Sequence, residues 1–197
     1  MRVFGLFLVV LTLGVVCSSA STHTGSPPPT DFILTSCKTT RYSDLCVRSL
    51  TRYGPAVHRS RRQLAYAALT ICAARARSTS YLVTQMTSGS RPSRSTHTGP
   101  VLDCTKTMKD STDRLRQAVR EMNRMGRPSS KRFKVRLSNI QAWVSGALTD
   151  ATTCLQSLDQ DVIPLTARAA AIRKKVVEFS QYTSNTLALI NQLELRN

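Results

Sequence analysis

Acidic residues and histidine are scarce in this sequence. Its 197 residues include 11 Asp and Glu and three His, against 28 Lys and Arg, for a formal charge of +17. His23, His58 and His97 are scattered, with no acidic or cysteine neighbour at ligand spacing, so no metal site is expected. The signatures HExxH and GxSxG, a P-loop and a Gly-rich dinucleotide turn are all missing. Two carboxylate pairs remain. Asp159 and Asp161 fall on an expected turn, and Asp110 and Asp113 share a helix face. Either pair needs a pocket to shift a pKa before it can serve as a general acid. A narrow helical core of Leu, Ile, Ala and Met leaves little room for one. The expectation is a protein that is not an enzyme and carries no cofactor. Strand-type alternation and internal repeats are also missing, which excludes a sheet-based fold.

What is present begins with a targeting segment. Arg2, an apolar run over Val3–Val16 and the small residues Ser18 and Ala20 read as a signal peptide over residues 1–20. The run is shorter than the roughly 20 apolar residues a membrane span needs, and no later stretch is long and apolar enough. A soluble, exported chain from Ser21 is expected. Residues 21–30, with Pro27, Pro28 and Pro29, read as a flexible Pro-rich leader. For an exported protein the positive balance points to acidic polysaccharide, an acidic enzyme surface or anionic membrane rather than nucleic acid. Basic residues cluster at Arg59, Arg61 and Arg62; at Arg114, Arg116 and Arg120; at Lys131, Arg132, Lys134 and Arg136; and at Arg173, Lys174 and Lys175.

Loss of Cys17 with the signal leaves Cys37, Cys46, Cys72, Cys104 and Cys154, an odd number in an oxidising compartment. Cys37 and Cys46 are close enough to staple a hairpin; spacing alone leaves the other pairing open. Cys72 reads as a small buried hydrophobe with a free thiol.

Hydrophobic spacing then divides the chain into helices. Short ones are expected over Phe32–Leu34 and from Ser43 to about Tyr53, with a turn over Ser36–Tyr42 and a break or kink at Gly54-Pro55. A long helix follows, from about Ala56 or Ser60 to Met86, with Leu64, Ala68, Ile71, Cys72, Arg75 and Leu82 near one stripe. A Gly/Pro/Ser loop over residues 87–100 leads to a helix over Val101–Met125, closed by Gly126 and Pro128. Ser129–Arg136 reads as a basic connector. The helix Leu137–Leu158 is expected to place Leu137, Ile140, Val144, Leu148, Ala151, Leu155 and Leu158 on one face, with Trp143 beside the stripe. Pro164 suits the start of a last helix, on which Leu165, Ile172, Phe179 and Thr186 share one seven-residue spacing and Ala169, Val176, Thr183 and Ile190 another. The expected fold is all-α: an up-down-up-down four-helix bundle behind a disulfide-linked helical hairpin. The hairpin takes residues 31–55 and the bundle 56–197.

Four stretches resemble the plant invertase and pectin methylesterase inhibitor family: SCKTTRYSDLC (Ser36–Cys46), LDCTKTMKDSTDRL (Leu102–Leu115), IQAWVSGALTDATTCL (Ile140–Leu155) and TSNTLALINQL (Thr183–Leu193). Residues 31–197 are thereby identified as an inhibitor domain. The resemblance implies disulfides Cys37–Cys46 and Cys104–Cys154, with Cys72 the extra cysteine. It also implies a non-covalent one-to-one complex over the cleft of pectin methylesterase, the branch this chain looks more like, with acid invertase as the alternative target. Carried over by position, the contact candidates are Asp110 and Asp113 on the second bundle helix and Thr149, Asp150 and Thr153 on the third. Lys106 stands where the family has Glu, Met108 where it has Tyr, Ala142 where it has Thr and Gly146 where it has Ala. A further expectation is that Lys131, Arg132, Lys134 and Arg136 attach the protein to anionic, de-esterified pectin in the cell wall.

Overall fold

The structure is a computed structural model and describes residues 29–88, 99–159 and 167–194. The expected signal peptide and nearly all of the expected leader, most of the expected 87–100 loop, and the expected turn with Asp161 and Pro164 lie outside the described residues, as do Leu165, His23 and His97. Among the described residues there are seven α-helices: α1 (Pro29–Cys37), α2 (Ser43–Leu50), α3 (Gly54–Val57), α4 (Arg61–Ser88), α5 (Gly99–Asn123), α6 (Lys131–Asp159) and α7 (Ala167–Asn191). A 3₁₀ turn, Thr51–Tyr53, joins α2 to α3. No described residue is in a strand.

Helices α4 to α7 form the bundle. Each packs on the next and α7 closes back onto α4. The seams follow alternating four- and three-residue steps. On α6 the buried set is Phe133, Leu137, Ile140, Val144, Ala147, Ala151, Cys154 and Leu158. On α5 it is Cys104, Met108, Ser111, Leu115, Ala118 and Met122. Such steps keep one narrow stripe facing the partner helices, the geometry of antiparallel bundles. On α7, Ile172, Phe179 and Thr186 alternate with Ala169, Val176, Thr183 and Ile190, and all are buried. Leu148 and Leu155 flank the α6 stripe rather than sit in it.

Two disulfides fix the ends. Cys104–Cys154 joins the start of α5 to the last turns of α6, fifty residues apart. Closing such a loop in the unfolded chain is worth about 4 kcal/mol by the loop-entropy estimate. Cys37–Cys46 joins α1 to α2. The hairpin is held to the bundle by Asn185 on α7, which is 4% exposed. Its Nδ2 donates to the Tyr42 carbonyl at 2.8 Å, and its Oδ1 accepts the Tyr42 N–H at 3.0 Å. Gln192 donates from Nε2 to the Ser36 carbonyl at 3.0 Å and to Thr39 Oγ1 at 2.6 Å.

At Gly54-Pro55 the helical run breaks as expected: the 3₁₀ turn ends at Tyr53 and α3 starts at Gly54, with Pro55 in its first turn, where its missing N–H costs no hydrogen bond; three other local expectations need correcting. The reversal comes at His58 and Arg59, with φ of 45° and 58°. Ser129–Arg136 is not a connector over most of its length, because α6 starts at Lys131. Ser130 caps it, accepting the Phe133 N–H on Oγ at 3.1 Å. Ser60 does the same for α4 through the Gln63 N–H at 3.3 Å. Gly99 and Pro100, expected in a loop, open α5, which ends at Asn123 rather than Met125. Finally, α1 extends to Cys37, so the turn before α2 is shorter than expected.

Candidate functional site

The long α5–α6 pair carries the contact candidates. Its outer edge is organised by one carboxylate. Asp150, with its side chain 14% exposed, accepts Arg114 Nε at 3.1 Å and Ser111 Oγ at 3.3 Å, both from α5. Ser111 Oγ also lies 3.3 Å from the Ala147 carbonyl. Burial pushes the Asp150 carboxyl above its ordinary range of about 3.8; the charge of Arg114 and the hydrogen bonds from Ser111 and Arg114 pull against that, and nearby Asp110 adds to it.

Arg114 reaches Asp150 by crossing α6 at Gly146. A Cβ at that position would stand 3.1 Å from Arg114 Cδ and Nη1. The glycine that departs from the family pattern therefore leaves room for the arginine stem. Met108, another departure, is fully buried and faces the core. Its effect is on packing and not on a contact surface. Trp143 is half-buried against the core, and Lys106 and Ala142 are exposed.

The remaining candidates lie on the same two helices in different states. Asp110 is half-buried. Asp113 pairs with Arg116 at 3.0 Å one turn along α5, and both side chains are half exposed. Thr149 and Thr153 are exposed, and each hydroxyl donates back to the carbonyl four residues earlier, Ser145 at 3.2 Å and Thr149 at 3.1 Å. Asp110 and Asp150 are neighbours across the helix pair, whereas Asp113 is occupied along its own helix. Asp150 is thus an inter-helix bridge. Sequence pattern did not single out Ser111 or Asn185, and it gave Arg114 only as one of a basic cluster with Arg116 and Arg120. The only signal for Ser111 was its place in a motif between Cys104 and Leu115. Asn185 stood in the TSNT stretch without a role.

Among the basic candidates, Lys131, Arg132 and Lys134 are exposed on the first turns of α6. Arg136 is not available with them. Its Nη1 bonds Glu121 Oε2 of α5 at 3.0 Å, its side chain is 22% exposed, and its buried Nε has no hydrogen-bond partner among the described residues. Cys72 is buried, its Sγ 3.3 Å from Thr183 Oγ1. Burial pushes its thiol up to about 11, against hydrogen bonds from Thr183 and Thr186. At any pH the protein meets it stays a protonated thiol with little nucleophilic character. No group of three or more His, Cys, Asp or Glu among the described residues is arranged to hold a metal ion. No described helix is long and apolar enough to cross a membrane.

Comparison with known proteins gives consistent findings. The profile of a family described as plant invertase/pectin methylesterase inhibitor matches residues 31–189. The chain is similar to "Pectinesterase inhibitor 9" of Arabidopsis thaliana, 38% identical over 189 residues, covering 95% of this chain and 92% of that one. It is also similar to "Pectinesterase inhibitor 11" of the same plant, 33% identical over 193 residues and covering 95% and 94%. In fold it is similar to the crystal structure of mutant form A of a pectin methylesterase inhibitor from Arabidopsis. The TM-score is 0.61 at 18% identity, over 81% of this chain and 95% of that one.

Proposed function

Because the chain belongs to the plant invertase/pectin methylesterase inhibitor family, we propose that it is exported and inhibits pectin methylesterase by forming a one-to-one, non-covalent complex over the enzyme's substrate cleft. The family is one of enzyme inhibitors, not enzymes. The observation that carries the reading is the α5–α6 face. Cys104–Cys154 ties its two helices at one end, and the Ser111–Arg114–Asp150 bridge ties them along the edge. A face fixed before binding loses little conformational entropy on docking, so more of its contact energy appears as affinity. The mechanism is occlusion: a helical edge with Asp110, Asp150 and the exposed threonines occupies space the polymer needs. No bond is made or broken.

Esterase is favoured over acid invertase because the similar named relatives are pectinesterase inhibitors. Titrating the mature protein against a plant pectin methylesterase and an acid invertase side by side tests this choice. Loss of esterase activity saturating at one equivalent is the expected result. Loss of invertase activity alone transfers the face to the other target.

A further inference from the structure

One end of the bundle concentrates positive charge from three elements. It is formed by the start of α4, the end of α5, the start of α6 and the end of α7. Arg62 of α4 donates to the Gly126 and Met122 carbonyls after and within α5. Arg136 of α6 bonds Glu121 of α5. Gln141 of α6 bonds Asn191 and Glu194 at the end of α7. Across residues 58–62, 120–136 and 191–194 there are ten Lys and Arg against two Glu, and one of those glutamates is taken up by Arg136. Arg61, Arg124, Arg127, Lys131, Arg132 and Lys134 are exposed there.

The arrangement works against the helices that carry it. The starts of α4 and α6 read Ser60-Arg61-Arg62 and Ser130-Lys131-Arg132, each a capping serine followed by two cations. Neither helix has an acidic residue in its first turn. A helix N-terminus carries partial positive charge and favours anions, so these side chains add to a repulsion that Asp or Glu would relieve. Fold stability accounts for Arg62, whose guanidinium holds carbonyls at the end of α5, but not for Arg61, Lys131 and Arg132. At a rise of 1.5 Å per residue, Lys134 lies about 24 Å along α6 from Asp150. That exceeds the Debye length of about 8 Å at physiological salt, so this end and the α5–α6 contact edge act as separate surfaces.

We propose that this basic end is a second binding surface, for the carboxylate-bearing polyuronate backbone of de-esterified pectin, and that it holds the inhibitor on the polymer its target has already acted on. The choice of polyanion rests on the inhibitor reading above: removal of methyl esters leaves free carboxylates, one per sugar unit. A chain of regularly spaced anions crossing Arg61, Arg127 and the first turns of α6 releases condensed counterions on binding. Its affinity therefore falls steeply with salt. Arg136, already neutralised by Glu121, belongs to the scaffold of this surface and not to its contacts.

The test compares wild-type mature protein with the triple variant K131E/R132E/K134E and with K38E/R77E/K174E, which makes the same charge change at exposed positions elsewhere. The probes are polygalacturonate, fully methyl-esterified pectin and vesicles containing anionic phospholipid. Acidic residues suit a helix start, so the first variant is expected to fold; unchanged circular dichroism and unchanged inhibition of pectin methylesterase check this. Wild type and the control variant are expected to bind polygalacturonate, with the K131E/R132E/K134E variant weaker by about tenfold or more and its log–log salt slope reduced by about 2. Equal binding by the two variants, equal affinity for esterified pectin, or tighter binding to anionic vesicles overturns the proposal. A wild type that binds polygalacturonate yet inhibits no esterase sinks the function reading and not this surface.

Discussion

Asp150 is the residue whose environment has the clearest consequence. Its folded-state pKa lies above the ordinary value of about 3.8, chiefly through burial. As pH falls, the folded protein takes up this proton before the unfolded chain does. The stabilising contribution is therefore fully present below about 3.8 and is lost as pH rises through the folded value. Arg114→Ala removes the charge and hydrogen bond that oppose the shift, so the Asp150 carboxyl is expected to titrate higher still. Carboxyl-detected NMR titration reads this directly; a downward movement contradicts the described geometry. Gly146→Ala gains helix propensity of about 0.5–1 kcal/mol but presses on the flexible end of Arg114. The same titration is expected to move in the same direction and by less. An unmoved Asp150 means that Arg114 rides over the added methyl without leaving its partner. Cys72 gives a simpler expectation. With its thiol pushed up to about 11 and buried, it should react with a disulfide reagent only at the rate of unfolding. Rapid labelling in the native protein contradicts that.

At the scale of elements, the hairpin depends on Asn185. Asn185→Ala leaves the Tyr42 N–H without its partner and removes one of two bonds to the Tyr42 carbonyl, which still accepts the Cys46 N–H. With water partly excluded there, the cost is about 1–3 kcal/mol for the orphaned N–H. Hydrogen exchange is expected to speed up in α1 and α2 while α5 and α6 stay protected. Uniform loss of protection instead means that the hairpin and bundle unfold as one unit. The long helices were legible in the sequence because a seven-residue repeat with few interruptions leaves little choice of buried face. Phe179 and Val176 on α7, and Ile140 and Val144 on α6, sit in the core as that pattern implies. The boundaries were less legible. Basic residues at Lys131–Arg136 disguised the start of α6, because charge of that sign is unusual at a helix beginning and the cap is a lone Ser130. Gly54-Pro55 has the composition of a breaker and the helical run does break there. The reversal fell to His58 and Arg59, whose left-handed backbone no composition rule flags. The contact edge was legible only as a set of motif positions. That Asp150 is held by Ser111 and Arg114 depends on how α5 and α6 face each other, which a single sequence does not contain.

For the molecule as a whole, the claim is that a pre-stitched pair of helices presents a rigid edge to a partner. Cys104 and Cys154 stitch it. The variant C104A/C154A is expected to lose about 4 kcal/mol of stability, read as a lowered midpoint in denaturant, while keeping its helical circular dichroism. No change in midpoint shows that the Asp150 bridge and the α5–α6 seam suffice alone. The charge of +17 is also a property of the whole. Its distribution sets the two proposed surfaces apart: carboxylates Asp110 and Asp150 on the α5–α6 edge, and cations at the end where α4 and α6 begin. One part is suited to a protein cleft and the other to a polyanion.

The most direct measurement is inhibition of a plant pectin methylesterase by the mature protein, with the wild type set against a variant altered only on the contact edge, T149R/T153R. Both positions are exposed helix sites, so the fold is expected to persist. The wild type is predicted to abolish esterase activity at one equivalent. The variant is predicted to need at least tenfold more, because two bulky cations stand where the two surfaces must close. Equal inhibition by the two proteins contradicts an α5–α6 contact edge, and an esterase fully active beside excess wild type contradicts the account at its root.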